Sequence, residues 1–264
     1  MIVKIVGKTV DTYQYGTGVF INKNIIVTCY HTIKQSNSIH IMYGNSLYPS
    51  SIFKYNDKCD ICLLKTNTNN SQFYKLANPK DSFGSLRIQS YWADNTFIMT
   101  HQTNVLASHY KTHFFPTALL IDIKSYKGMS GAPILNEKNE IVTLLMWNTD
   151  IGTGCLHPEI FHNMLSKGVY DSGELSISTN IISILDTLNN QHYDYTFGEK
   201  VIYSTEKSIQ PGDIISHANG IPLNSYNLDI KSMCFCNPPN YSLKLMVHKK
   251  RLKYKKCIKV EILT

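Results

Sequence analysis

The chain has 264 residues, 43% of them apolar and 17% charged, which is enough apolar sequence for one large β domain or two ordinary ones and excludes a disordered polymer. Its net charge of +7 is concentrated: six Lys/Arg and no acid lie between His248 and Lys256 (Lys249, Lys250, Arg251, Lys253, Lys255, Lys256), so the rest of the chain carries only +1. A chain-wide nucleic-acid surface is therefore not expected.

Residues 1–150 read as β structure. Short runs of β-branched and aromatic residues recur at Ile2–Val6, Gly18–Ile21, Ile25–Thr28, Ser38–Tyr43, Ile61–Lys65, Leu86–Ser90, Thr96–Thr100, Ala118–Ile121, Pro133–Leu135 and Ile141–Trp147. Gly, Asn, Asp and Pro punctuate them about every 10 residues, the spacing of a barrel or sandwich. After His157 the pattern changes. Pro158–Leu165 predicts a short helix, and the spacing of Ile181, Ile184, Leu185 and Leu188 predicts a second one over Ile177–Leu188. From Tyr193 short strands return, with turn signals at Gln210-Pro211-Gly212-Asp213, Asn219-Gly220 and Asn237-Pro238-Pro239-Asn240. The expected organisation is a first domain over 1–170 and a second over 175–264.

The seven cysteines follow no disulfide-scaffold spacing, and Met1–Val6 shows no signal-peptide pattern. A reducing, intracellular compartment is the expectation. The longest apolar runs, such as Leu144–Trp147, fall far short of the roughly 20 residues of a membrane helix. Cys59-x-x-Cys62 and Cys234-x-Cys236 invite a zinc reading, but strand residues three apart point to opposite faces, and no His or Cys pair follows at finger spacing. No metal and no cofactor are expected.

Three segments carry chemistry when taken together. Thr28-Cys29-Tyr30-His31 ends an apolar strand on a histidine, Asp60-Ile61-Cys62-Leu63 places a carboxylate before an apolar run, and Gly128-Met129-Ser130-Gly131-Ala132-Pro133 sets a serine between two glycines. A serine hydroxyl is a weak nucleophile that needs an adjacent base, and imidazole, titrating near neutrality, suits that role. A carboxylate on Nδ1–H fixes the tautomer, and preorganised N–H donors, here those of Gly128 and Ser130, stabilise a developing oxyanion. Asp57 competes with Asp60 for the carboxylate role, although Asp60 alone abuts the apolar run.

In the order His, Asp, Ser, these segments resemble the TAAH, DIAL and GNSGGP signatures of chymotrypsin-fold serine proteases. The intervals of 29 and 70 residues are short and resemble the HtrA/Deg branch over roughly residues 1–165. The resemblance implies a chymotrypsin-like double β-barrel with His31 as general base, Asp60 as its orienter, Ser130 as nucleophile, and the N–H groups of Gly128 and Ser130 as oxyanion hole. Met129 and Ala132 depart from the signature at positions that supply no catalytic side chain. The pocket for the substrate's P1 side chain is expected from Lys124, Leu145, Met146 and Trp147, with a medium apolar P1 residue preferred. The run Gln210–Leu223 is similar to the core of a PDZ domain, implying a small α+β domain that docks a peptide ligand by strand addition; no carboxylate-binding loop is evident before Val201.

The sequence thus predicts a serine endopeptidase acting on polypeptides, with oligomerisation left open. Two rival readings stand beside it. One is a catalytically silent protease fold that binds peptides. The other is a nucleic-acid or membrane-surface protein using His248–Lys256, although a solvated hairpin is the preferred account of that stretch, with Tyr254 its one aromatic.

Overall fold

The computed structural model describes residues 1–44, 46–68, 70–79, 84–93, 95–110, 118–166, 177–183, 197–204, 208–223, 230, 242–249 and 257–263. The chain divides into two compact units, Met1–Tyr170 and Asp171–Thr264. No helix among the described residues is long and apolar enough to cross a membrane.

The first unit opens with β1 (Ile2–Lys8), β2 (Tyr13–Phe20), β3 (Ile25–Cys29), a single 3-10 turn at Tyr30–Thr32, β4 (Ser38–Tyr43), β5 (Ser46–Asn56) and β6 (Ile61–Thr66). These strands close into a barrel in the order β1-β2-β3-β6-β5-β4. Alternation drives the closure: Val3, Ile5, Phe20, Ile26, Ile41 and Leu64 meet inside as one buried cluster. Strand β5 was not among the expected ones. Pro49 and the Ser50-Ser51 pair interrupt any β-branched run there, and most of its residues are exposed.

The second half of this unit comprises β7 (Leu86–Ser90), β8 (Met99–Thr103), β9 (Val105–Tyr110), β10 (Ala118–Ile121), β11 (Pro133–Leu135), β12 (Ile141–Asn148) and β13 (Thr153–Leu156). They form a sheet in the order β8-β7-β11-β12-β13-β10-β9, curled around Leu86, Ile88, Leu119, Ile121, Ile134, Val142 and Leu145. Closed barrel plus half-barrel agrees with the expected chymotrypsin-like architecture.

The expected short helix is present as α1 (Pro158–Ser166). Proline at its first position needs no N–H partner there, and the buried His157 caps it, its Nδ1 accepting the Glu159 N–H at 3.3 Å. Burial, with His109 stacked at 4.8 Å, pulls the His157 imidazole from its ordinary 6.5 down to about 3. The ring is therefore neutral in the folded chain, while the unfolded chain takes up a proton below about pH 6.5. The resulting stability is complete above pH 6.5 and falls by up to about 1.4 kcal/mol per pH unit on acidification toward pH 3. His157→Gln is expected to flatten that slope, read as the urea midpoint from pH 7 to 4; an unchanged slope would refute it.

In the second unit, β14 (Ile177–Ser183), β15 (Phe197–Ser204), β16 (Ile214–Ala218), β18 (Ser242–His248) and β19 (Cys257–Leu263) form an antiparallel sheet in that order, with β17 (Ile221–Pro222) paired to β16. The helix expected over Ile177–Leu188 is corrected: its first seven residues are β14, and 184–190 lie outside the described residues. The segment Ile177-Ser178-Thr179-Asn180-Ile181-Ile182 is dense in β-branched residues, which favour a pleated surface over the 3.6-residue period. Two predicted turns are present. Asn219 and Gly220 both have positive φ (51° and 80°) between β16 and β17, as a type I′ hairpin requires. Asp213 N–H donates to Gln210 C=O at 3.0 Å, with Gly212 at φ 91°, a type II turn with Pro211 and Gly212 in their preferred places. Of the basic stretch, Lys249 is committed to Asp213 Oδ2 at 2.6 Å. Residues 250–256, like Cys234 and Cys236, lie outside the described residues.

Candidate active site

The barrel brings His31 and Asp60 together through adjacent strand ends. Strand β3 pairs with β6 so that Cys29 faces Ile61, which leaves His31 and Asp60 just beyond the last rung. Asp60 sits in a left-handed conformation (φ 54°), an unfavourable region that aspartate tolerates better than most residues. Four hydrogen bonds hold it there, the first from its own N–H to Asp57 C=O at 3.3 Å. Its C=O accepts Tyr30 N–H at 3.0 Å, Oδ1 accepts His31 N–H at 2.7 Å, and Oδ2 accepts from His31 Nδ1 at 2.5 Å. A carboxylate can only accept, so Nδ1 carries the proton and Nε2 of the neutral ring keeps a free lone pair. Asp57 does not share this role: its carboxylate is well exposed and stands 4.0 Å from Lys34 Nζ.

Ser130 comes from the other half of the unit. Two consecutive tight turns carry it. Met129 N–H donates to Tyr126 C=O at 3.0 Å with Gly128 at φ 94°, and Ala132 N–H donates to Met129 C=O at 2.9 Å with Gly131 at φ 84°. Each has a positive-φ glycine at its third position, the signature of a type II turn. Ser130 thus occupies the corner of the second turn, half-buried. The turns are fastened to the first barrel. Thr17 N–H donates to Ser130 C=O at 2.8 Å, and Thr17 Oγ1 donates to Gly128 C=O at 2.8 Å. Gly131 lies so close to β3 that a Cβ there would stand 2.4 Å from Thr28 Oγ1 and 3.0 Å from Cys29 N.

Among the described residues the Ser130 hydroxyl makes no hydrogen bond to His31 or to any other group, and the N–H groups of Gly128 and Ser130 have no acceptor. The structure therefore joins His31 to Asp60 directly and sets the Ser130 turn against β2 and β3, the latter leading into His31, with the two N–H donors unspent.

Residues 16–144 match the trypsin-like peptidase domain family. No curated protein sequence matches the chain. Among solved structures, the HtrA-type protease AlgW with a tripeptide is similar over 99% of this chain and 91% of its own, with a TM-score of 0.72 at 12% identity. A serine endoprotease from Yersinia pestis is similar over 99% and 92%, with a TM-score of 0.64 at 18% identity. The M. tuberculosis Rv3671c protease in its active form covers 59% of this chain and 74% of its own, with a TM-score of 0.53 at 16% identity. The fold is that of the HtrA-type proteases.

Within this HtrA-type fold the residues expected to line the P1 pocket separate. Lys124 is exposed. Leu145 is a correction: its side chain is fully buried in the core cluster and only its backbone faces the turn, its C=O accepting Gly131 N–H at 2.8 Å. Met146 is also buried, at 3% exposure. A bulge between Leu145 and Trp147 shifts the register so that Trp147 pairs with Gly154, and its indole lies so tightly over that glycine that a Cβ would stand 2.2 Å from the ring. Sequence reasoning missed Gly154, because nothing short of the β12–β13 register places a glycine under an indole 7 residues earlier. The Asn148 side-chain amide accepts from Ser125 N–H and Oγ (2.9 and 2.7 Å) and donates to Ser125 C=O at 2.9 Å, tying the end of β12 to the segment before the Ser130 turn.

For a metal, Cys29, His31 and Asp60 are the described residues whose donor atoms converge, all within 4.8 Å. Burial and the Asp60 carboxylate push the Cys29 thiol well above its ordinary range, so the thiolate a metal would take is disfavoured. Cys62 is pushed up to about 12 by burial, and Cys59 is raised further for the same reason. These cysteines are packing residues.

Proposed function

We propose that the chain is a serine endopeptidase that hydrolyses polypeptides through an acyl-enzyme, with His31 as general base, Asp60 as its orienter and Ser130 as nucleophile. The observation that carries this reading is the double hold of the Asp60 carboxylate on the His31 backbone and ring, which leaves Nε2 as the acceptor beside the Ser130 turn.

Attack proceeds as Ser130 Oγ adds to the scissile carbonyl while His31 Nε2 takes its proton. The Asp60 carboxylate stabilises the imidazolium without itself taking a proton. The carbonyl oxygen, now negative, is received by the N–H groups of Gly128 and Ser130, each typically worth about 3 kcal/mol of barrier. His31 then protonates the leaving amine, and water repeats the sequence on the acyl-enzyme. The Ser130–His31 hydrogen bond forms when substrate docks, as such contacts are often long without it. Trp147, packed over Gly154, serves as the apolar wall for a medium apolar P1 side chain. The second unit, with its antiparallel sheet and Asn219-Gly220 hairpin, acts as a PDZ-like docking domain for a peptide.

A fluorophosphonate probe should label the wild type and fail on Ser130→Ala. Cleavage of a peptide library by the wild type should concentrate after medium apolar residues. Labelling that survives Ser130→Ala refutes the nucleophile, and a profile dominated by aromatic P1 residues refutes the pocket.

A further inference from the structure

We propose that Lys4 is a positioning residue for the oxyanion hole, acting through Ala93 on the Lys127–Gly128 peptide; this rests on the acyl-transfer reading above. Lys4 stands in the middle of β1, directly opposite Thr17 of β2, so the two side chains share one face of the barrel. A lysine only 6% exposed in a barrel strand is costly unless its ammonium is well solvated by the protein. Its Nζ lies 4.6 Å from the centre of the Tyr15 ring and donates to Ala93 C=O at 2.5 Å and Asn95 C=O at 3.0 Å. Thr17 Oγ1 accepts Tyr91 N–H at 3.0 Å. The same barrel face therefore holds the backbone that follows β7 at Tyr91, Ala93 and Asn95.

That backbone is the floor of the oxyanion turn. Ala93 N–H donates to Lys127 C=O at 2.9 Å, and a Cβ on Gly128 would stand 2.5 Å from Ala93 N. A peptide unit is planar and trans, so its C=O and N–H point in opposite directions. With the Lys127 C=O drawn onto Ala93, the Gly128 N–H must face away from Ala93, on the opposite side of the peptide. Rotating this one peptide by half a turn would convert the type II turn to type I and withdraw the donor. The Ala93–Lys127 hydrogen bond opposes that rotation, and Lys4 fixes the carbonyl end of the residue that makes it. Thr17 performs the matching task one peptide later by holding Gly128 C=O.

The test compares Lys4→Met, which keeps the packed stem, and Lys4→Arg, which keeps a cationic donor, on quenched fluorescent casein. Binding of an N-acetyl tripeptide ending in alaninal, whose adduct carries an oxyanion, is measured beside the corresponding tripeptide alcohol, which carries none. Expected for Lys4→Met are a kcat loss of about 10- to 100-fold, smaller than or equal to that for deleting an oxyanion donor, an unchanged KM, and a parallel loss of aldehyde affinity with alcohol affinity retained. Lys4→Arg should recover most of the activity. Should Lys4→Met not fold, Thr17→Val, which removes only the neighbouring hydroxyl grip, must show the same split. Wild-type kcat in a folded Lys4→Met, or equal losses for aldehyde and alcohol, overturns the proposal. A wild type that fails to react with fluorophosphonate overturns instead the acyl-transfer reading on which it stands.

Discussion

Asp60→Asn is expected to lower kcat for peptide hydrolysis by about 10⁴-fold with little change in KM or melting temperature, while Asp57→Asn leaves activity within about twofold, as an exposed surface pair should. The carboxylate at position 60 accepts from both His31 N–H and Nδ1. An asparagine there can present its NH₂ to the ring, which draws the lone pair to Nδ1 and the proton to Nε2. The imidazole then faces Ser130 with a donor in place of an acceptor, and the serine proton has nowhere to go. Asp57, 4.0 Å from Lys34 Nζ on the surface, has no route to the ring. Steady-state kinetics on the two variants decide the matter: equal losses would show that the carboxylate partner was misassigned.

Gly131→Ala is expected to cost about 4 kcal/mol of stability, adding left-handed strain to overpacking, and to lower the melting temperature by roughly 8–16 °C. A Cβ at Gly131 would stand 2.2 Å from Thr17 C=O and 2.4 Å from Thr28 Oγ1. Relief requires the turn to lift off both β2 and β3, which would break the 2.8 Å bond from Thr17 N–H to Ser130 C=O and carry Ser130 away from the His31 end of the barrel. Gly84→Ala, where a Cβ meets nothing within 4 Å, is the control and should melt with the wild type. Thermal unfolding followed by circular dichroism measures both, and a Gly131→Ala curve coincident with the control would refute the packing argument.

How much of this was legible in the sequence depended on how local each feature is. Strands β10 and β11 lie at their predicted bounds because Pro, Gly and Asn punctuate short β-branched runs, and the Asn219-Gly220 and Pro211-Gly212 turns follow from backbone preferences of single residues. The His31, Asp60 and Ser130 segments were visible as types of chemistry. The geometry joining the first two comes from the β3–β6 register, which no local window contains. Leu145 and Met146 read as pocket walls because apolar residues after the nucleophile suit either a pocket or a core, and only the curl of the sheet around Leu119 and Ile134 sends Leu145 inward. The helix expected from Ile181, Ile184, Leu185 and Leu188 shows the converse: the β-branched density of Ile177–Ile182 outweighs the apolar period there and gives strand β14. Lys4 and Thr17 gave no sequence signal, since their partners at Ala93 and Gly128 lie 89 and 111 residues away.

The order of the strands along the chain also has a consequence for biosynthesis. Everything that cradles the imidazole is translated before residue 67, whereas the hydroxyl is borne by a turn whose anchor, the Leu145 carbonyl, emerges some 80 residues later. On the ribosome, the emerging polypeptide would pass through a long interval with a finished proton acceptor and nothing for it to activate. Destructive chemistry would thus be withheld until both halves have been made and have met.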